Sequence, residues 1–178
     1  MGARVLVVGG GGREHALVAA LVADPVVDAV VAAPGNPGIA ALARCAPVRI
    51  DDVDGLVALA VAERVDLVVV GPEAPLVAGL VDALAARDVP AFGPSAEAAR
   101  LEGSKTYAKA VMDAAGVPTA PWTATSDPAE ALAALRATRA KGYGAGLVVL
   151  ATGLGKTFLA AFDSATAARV LFVAHREE

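Results

Sequence analysis

Short apolar runs rich in valine and bounded by Gly or Pro recur along the first half of the chain. They occupy residues 4–8, 29–33, 48–50, 66–70 and 90–92. Runs of this length and composition predict short strands that are buried on both faces. Because strands buried on both faces are typical of parallel sheets, the pattern favours an α/β fold.

Stretches with apolar residues at helical spacing separate these runs. They cover residues 14–23, 53–64 and 75–87. The alternation of strand and helix predicts an open, mostly parallel, Rossmann-like sheet with right-handed crossovers and flanking helices. Ligands of such sheets bind beyond the carboxyl ends of the strands. The corresponding loops are the Gly- and Pro-rich segments 9–13, 34–38, 71–76 and 93–95.

The second half of the chain is organised differently. After helices predicted at residues 95–101 and 105–115, the composition of segment 117–126 predicts a linker, so a first domain should end near Thr123. A helix is predicted at 127–140, with Pro128 at its first position. A βαβ unit then follows, with elements predicted at residues 147–150, 156–161 and 169–174.

Composition and charge narrow the functional classes. Hydrophobic residues make up 56% of the chain and aromatic residues only 4%, so the core must be built from Ala, Val and Leu. The net charge of -4 argues against broad attraction to nucleic acid or a membrane surface. The apolar runs fall short of the roughly 20 residues that span a bilayer. The single cysteine and the lack of a secretion signal predict a cytoplasmic protein with no membrane partner.

The Gly-rich loop, residues 9–13, is the first candidate binding site. It follows a strand and opens a helix, so free N–H groups and the helix dipole favour an anion there, with phosphate as the natural occupant. Glu14 or His15 stands where a dinucleotide fingerprint needs its third glycine, which argues against nicotinamide cofactors. The guanidinium of Arg13 suits phosphate recognition and favours a binding site. The alternative is that the glycines only form a tight turn and bind no ligand.

Two further loops carry polar residues at the same edge of the predicted sheet. Asn36 lies between two Pro-Gly turns, and its sequence context fits either a plain turn or a ligand contact. Glu73 lies between two prolines after the fourth predicted strand. Its position favours hydrogen bonds to the hydroxyl groups or the amine of a ligand.

Five motifs, in order, resemble those of the phosphoribosylamine–glycine ligase family, also called glycinamide ribonucleotide synthetases. They are GGGGREHAL (9–17), PGNPG (34–38), VVGPEAPL (69–76), FGPSAEAARLEGSKTYAK (92–109) and VMDAAGVPTA (111–120). The resemblance implies a pre-ATP-grasp domain of an ATP-grasp ligase of de novo purine synthesis. Such ligases join glycine to 5-phosphoribosylamine with ATP and Mg²⁺, by way of a glycyl phosphate that the sugar amine attacks.

The resemblance also implies roles for individual residues. Gly11, Gly12, Arg13, Asn36 and Glu73 would bind phosphoribosylamine. Lys105 would approach the phosphates of ATP. The resemblance assigns no catalytic residue, and the acidic Mg²⁺ ligands and the second ATP-binding lysine of the family are not found after residue 135. The partners implied are therefore small molecules: phosphoribosylamine, glycine and ATP.

A near P-loop, LATGLGKT, occupies residues 150–157, with Leu150 where the first glycine usually stands. In such a loop the backbone around Gly153 and Gly155 surrounds a phosphate, Lys156 reaches the terminal phosphates and Thr157 can ligate magnesium. Together with RVLFVAHREE (169–178), the segment resembles the start of a superfamily 2 helicase. A glycine turn in an unrelated αβ unit is the alternative.

The two resemblances predict three parts. These are a pre-ATP-grasp domain at residues 1–123, a linker and helix at 124–140 with a junction near 130–137, and a truncated P-loop βαβ segment at 141–178. We expect such a chimera to bind phosphorylated ligands weakly and to be inactive as a ligase. The alternatives are a P-loop ATPase fragment that depends on nucleic acid, or a scaffold without catalysis.

Overall fold

A computed structural model describes residues 2–119, 122–140 and 147–149 of the chain. The chain divides into two compact units, of which the first ends at Ser104 and the second begins at Lys105. The domain boundary expected near Thr123 lies further along the chain and stays a prediction. The candidate P-loop residues Gly153, Gly155, Lys156 and Thr157 lie outside the described residues.

The first unit is built on a five-stranded parallel sheet with strand order β3-β2-β1-β4-β5. Its strands are β1 (Ala3–Gly9), β2 (Val27–Pro34), β3 (Arg44–Cys45), β4 (Leu67–Val70) and β5 (Ala91–Phe92). Its helices are α1 (Gly12–Ala23), α2 (Pro37–Ala40), α3 (Val53–Ala62), α4 (Glu73–Val77), α5 (Leu80–Ala85) and α6 (Ala96–Gly103). The parallel α/β fold predicted from the hydrophobic pattern is confirmed.

The hydrophobic core lies on both faces of the central strand β1. On one face, Leu6 and Val8 pack in a buried cluster with residues of α3 and α5, including Leu56 and Leu84. On the other face, Val7 packs in a cluster with side chains of α1 and α2. Side chains alternate across a strand, so a continuous apolar run places one set on each face. Two helical layers therefore sandwich the sheet.

The third strand lies earlier in the chain than the apolar pattern predicted. Val48 and Ile50 pack partly buried against the core but form no strand. The strand is instead β3, where Arg44 pairs with Val31 of β2. The prediction of a strand at 48–50 was wrong because apolar spacing reports burial, whereas a strand also requires a hydrogen-bonded neighbour.

The single helix predicted at residues 75–87 is two helices, α4 and α5. They are separated at Gly79, which has φ +88° and precedes the first residue of α5. Glycine adopts this left-handed conformation without a steric penalty, so the chain can change direction there. A continuous apolar periodicity conceals such a break because both short helices bury their leucines against the same core cluster.

The second unit contains α7 (Lys105–Ala114), β6 (Trp122–Ala124), α8 (Pro128–Ala140) and β7 (Leu147–Val149). Strands β6 and β7 pair in parallel as a separate two-stranded sheet, so part of the segment predicted as a linker is a strand. The predicted helix start is confirmed, since Pro128 is the first residue of α8 and the Asp127 carboxylate accepts from the N–H of Ala129 at 2.9 Å. Within the described parts of the chain, no helix is both long and apolar enough to cross a membrane.

Candidate functional site

The carboxyl ends of β1 and β4 form the centre of the candidate site. Strand β1 lies between β2 and β4 in the sheet. The chain therefore runs from β1 to one side, through β2 and β3, and then returns to the other side of β1 with β4. At this change of direction the loops that follow β1 and β4 diverge to opposite faces of the sheet. The crevice between such loops is where open α/β sheets bind their ligands.

Arg13 and Glu73 meet across this crevice. Arg13 lies in the first turn of α1, and Glu73 is the first residue of α4. Arg13 Nη2 lies 3.4 Å from Glu73 Oε1, while the two side chains remain 71% and 45% exposed. An exposed pair at this distance contributes little to stability, so Arg13 can give up this contact for a ligand at small cost. The structure thus brings together two residues that are 60 positions apart in sequence.

The Gly-rich loop presents the amino terminus of α1 at the same place. Gly11 is the N-cap residue in an extended conformation, and Gly12 is the first helical residue. The N–H groups of the first helical turn have no partner within the helix, and the helix dipole makes this end electropositive. Gly10 lets the neighbouring loop approach, since a Cβ atom on it would lie 2.5 Å from the Gly35 carbonyl oxygen.

Asn36 joins the loop after β2 to the Gly-rich loop. Its Nδ2 donates to the Gly10 carbonyl oxygen at 2.8 Å, and its Oδ1 accepts from the N–H of Ile39 at 2.9 Å. The Gly35 N–H adds a bond to the Gly9 carbonyl at 3.2 Å. One hydrogen on Nδ2 and further acceptor capacity on Oδ1 are left by these bonds. The first role of Asn36 is therefore to hold two site loops together, and ligand contact stays a prediction.

Replacing Asn36 with alanine should lower the free energy of unfolding by about 1–2 kcal/mol, because α2 loses its cap and the Gly10 carbonyl loses a donor. Asn36→Ser is the matched control. A serine hydroxyl can still cap α2 but is too short to replace the bond to Gly10, so we expect a smaller loss. Urea unfolding of the three proteins measures the difference. Equal stability of the alanine variant and the parent would contradict the linking role.

Glu14 is a residue of this site to which the sequence pattern assigned no role. Its side chain is buried, at 5% exposure. Its Oε2 accepts from the Gly11 N–H at 2.6 Å, and its Oε1 lies 4.0 Å from Arg13 Nε. A Glu at the third helical position can reach back to the N-cap N–H, so its place after Gly11 could have indicated this bond, although glycine has no side chain for the other half of a capping box.

The candidate ATP contact belongs to the second compact unit. Lys105 is exposed at the first position of α7, in the second compact unit, and its contact with ATP stays a prediction. Among the described residues, no group of three or more His, Cys, Asp or Glu side chains is placed to hold a metal ion. No described residue is therefore assigned to Mg²⁺.

Two family models match this chain. The model of the phosphoribosylglycinamide synthetase N domain matches residues 3–102. The model of the type III restriction enzyme res subunit matches residues 124–178. The first model covers the whole site described above, and the second covers the candidate P-loop.

Curated relatives and solved structures agree with the first model. The phosphoribosylamine–glycine ligase of Streptomyces coelicolor is 54% identical over 153 residues, which are 85% of this chain and 35% of that protein. The ligase of Leifsonia xyli subsp. xyli is 47% identical over 168 residues, which are 92% of this chain and 39% of that protein. The crystal structure of the Thermotoga maritima ligase matches 78% of this chain and 30% of its own, with a TM-score of 0.54 and 30% identity. The chain thus spans about a third of the length of these ligases.

The ligase similarity continues past residue 135, although the family motifs recognised in the sequence end at residue 120. Because 92% of 178 residues is about 164, the match to the Leifsonia xyli ligase must include residues from about 15 to about 164 wherever it begins. It therefore overlaps the restriction-enzyme match and includes Lys156 and Thr157. The junction near residues 130–137 stays a prediction.

More than half of the chain is matched by one family model, and the relatives compared above carry the corresponding enzyme name. The matched residues contain the crevice between β1 and β4 and all the side chains that meet there. The chain belongs to the phosphoribosylglycinamide synthetase family, of which it carries the N domain.

Proposed function

We propose that this chain provides the sugar-phosphate-binding part of an ATP-dependent ligase that joins glycine to 5-phosphoribosylamine in de novo purine biosynthesis. The observation that carries the proposal is the Arg13–Glu73 pair. It lies beside the amino terminus of α1, at the point where the strand order reverses on the two sides of β1. The relatives that share this region are phosphoribosylamine–glycine ligases. Because the chain spans about a third of their length, the complete reaction is part of the proposal.

The geometry divides recognition of phosphoribosylamine between two kinds of group. The phosphate binds the N–H groups of Gly12 and Arg13, together with the Arg13 guanidinium, whose planar donors match phosphate oxygens. Glu73 then accepts a hydrogen bond from a ribose hydroxyl or from the amine. The 3.4 Å separation within the Arg13–Glu73 pair is longer than a strong charge-assisted hydrogen bond, so this exchange costs little.

The remaining components follow from the same proposal. ATP and glycine are its further substrates, with Lys105 approaching the ATP phosphates from the start of α7. Bound Mg²⁺ would neutralise phosphate charge, but the described residues offer no cluster that fits it. Small molecules are thus the partners, and the cytoplasm is the compartment in which such an enzyme would meet them.

The P-loop ATPase reading is not favoured. The restriction-enzyme model matches residues 124–178, under a third of the chain. The similarity to the Leifsonia xyli ligase extends over the same glycine-rich stretch. Residues around Lys156 therefore do not separate the two families, whereas the crevice of the first unit lies within the synthetase match and outside the restriction-enzyme match.

Binding of ribose 5-phosphate tests the proposal directly. This compound keeps the phosphate and sugar of the proposed substrate and replaces its unstable amine with a hydroxyl group. We expect it to raise the unfolding temperature of the 178-residue chain, since a ligand of the native state stabilises by about 2.7 kcal/mol at a hundred times its Kd. Ribose at equal concentration, with ionic strength matched, is the control. An unchanged unfolding temperature at about 20 mM ribose 5-phosphate would refute the proposal.

A further inference from the structure

The carboxylate of Glu14 is buried beneath the Gly-rich loop with part of its hydrogen-bonding capacity unused. Its Oε2 accepts from the Gly11 N–H at 2.6 Å. Its Oε1 receives no hydrogen bond from any residue that the structure describes, and its ion-pair contact, Arg13 Nε, lies 4.0 Å away. Burial of an incompletely paired carboxylate is costly, so its presence here calls for a physical reason.

Three glycines enclose this side chain. Gly9 ends β1, Gly71 directly follows β4, and Gly11 caps α1. A Cβ atom on Gly9 would lie 2.6 Å from Glu14 Cγ, one on Gly11 would lie 2.8 Å from Oε2, and one on Gly71 would collide with Oε1. The Glu14 side chain therefore fills the space where the two central strands end.

The position of Glu14 determines which groups face the crevice. By accepting the Gly11 N–H, it fixes the residue from which α1 starts. Its Oε1 lies on one side of the Arg13 guanidinium, and Glu73 lies on another. The Glu14 carboxylate thus favours orientations of the exposed guanidinium that keep Nε beside it, which reduces the rotamer entropy that Arg13 must lose when it binds a phosphate.

We propose that Glu14 is a positioning residue of the phosphate site. It holds the Gly11–Arg13 backbone and orients the Arg13 guanidinium, so that a sugar phosphate meets the N–H groups and the guanidinium together. It does not touch the ligand, because its side chain is buried. This inference rests on the proposed function, in which the same loop binds the phosphate of phosphoribosylamine.

The three possible roles of Glu14 differ in the sign of their effect on ligand binding. A carboxylate that acted only through its charge would repel phosphate, so Glu14→Ala and Glu14→Gln would both bind ribose 5-phosphate more tightly. A side chain that only packed would alter the unfolding temperature and leave the Kd of the folded protein unchanged. A positioning residue weakens binding when removed, and an amide that keeps the Gly11 bond restores much of it.

The first measurement needs no ligand. Urea unfolding of Glu14→Ala, Gly71→Ala and the double variant forms a double-mutant cycle. We expect Gly71→Ala to lower the unfolding midpoint in the parent, and this shift should fall to less than half in the Glu14→Ala background, because the colliding side chain is gone. Equal shifts in the two backgrounds would overturn the claim that Gly71 is required by Glu14.

The second measurement is the Kd for ribose 5-phosphate, taken by calorimetry at a temperature where circular dichroism shows every variant folded. We expect Glu14→Ala to bind about tenfold more weakly than the parent, and Glu14→Gln to stay within about threefold of it. An alanine variant that binds as well as the parent, or better, would overturn the positioning role alone. Absence of binding by the parent would instead refute the proposed function, and the positioning role with it.

Discussion

Replacing Arg13 with alanine is expected to weaken ribose 5-phosphate binding by about 10- to 150-fold, the largest loss of any single residue at the site. Hydrogen bonds to charged groups are worth about 1.5–3 kcal/mol, and each 1.4 kcal/mol is a factor of ten in Kd. Arg13 is the cationic side chain that the structure places beside the first turn of α1, and it is 71% exposed. Its loss also leaves Glu73 without this partner beside the incoming phosphate.

Two variants act as controls for Arg13. Arg13→Lys keeps the charge but loses the planar pair of donors, so its Kd should lie between those of the parent and the alanine variant. Arg49→Ala removes another exposed guanidinium, between β3 and α3, which hydrogen bonds to Asp51 and lowers the pKa of that carboxyl. Its Kd should match that of the parent. Equal weakening by Arg13→Ala and Arg49→Ala would show that overall charge, and not the crevice, governs binding.

Replacing Leu6 with alanine should lower the free energy of unfolding by about 2–5 kcal/mol, the range for deletion of a buried leucine side chain. Leu6 is fully buried at the centre of β1, where it pairs with Val31 of β2 and Val68 of β4. The neighbouring strands and the helical layer above Leu6 cannot move far enough to close the cavity that the alanine leaves. A total stability of about 5–15 kcal/mol is typical of domains, so a large fraction would be lost.

Leu101→Ala is the control for this prediction. Leu101 lies in α6 and is half exposed, so its replacement should cost well under half as much as Leu6→Ala. Urea unfolding at one temperature compares the two variants with the parent. Similar losses for the two leucines would contradict the assignment of β1 to the centre of the core.

The hydrophobic pattern was sufficient to predict the central part of the fold. Strands β1, β2 and β4 are continuous apolar runs because helices cover both faces of the sheet. Burial on both faces requires apolar residues at successive positions, and this pattern is visible in the sequence. The site edge followed from the same reasoning, since the carboxyl ends of parallel strands lie together. For this reason Arg13 and Glu73 could be placed at the same edge of the sheet without knowledge of their contact.

The position of the third strand and the break between α4 and α5 could not be predicted from the sequence. Val48 and Ile50 are apolar because they pack on the core, yet the strand is formed at Arg44 and Cys45, where β2 supplies the hydrogen-bonding partner. The break between α4 and α5 depends on one backbone conformation at Gly79. A glycine within an apolar helical pattern does not reveal whether its φ is positive.

The sequence by itself determined the alternation of strand and helix, the parallel sheet and the loops that carry the candidate ligand-binding residues. These features depend on local periodicity and turn residues. Only the tertiary structure decided that Arg13 meets Glu73, that Asn36 joins two loops and that the Glu14 carboxylate lies among three glycines. Apart from the local bond between Glu14 and Gly11, these contacts join residues on different elements. Their distances depend on how strands and helices pack, and no local pattern in the chain records that packing.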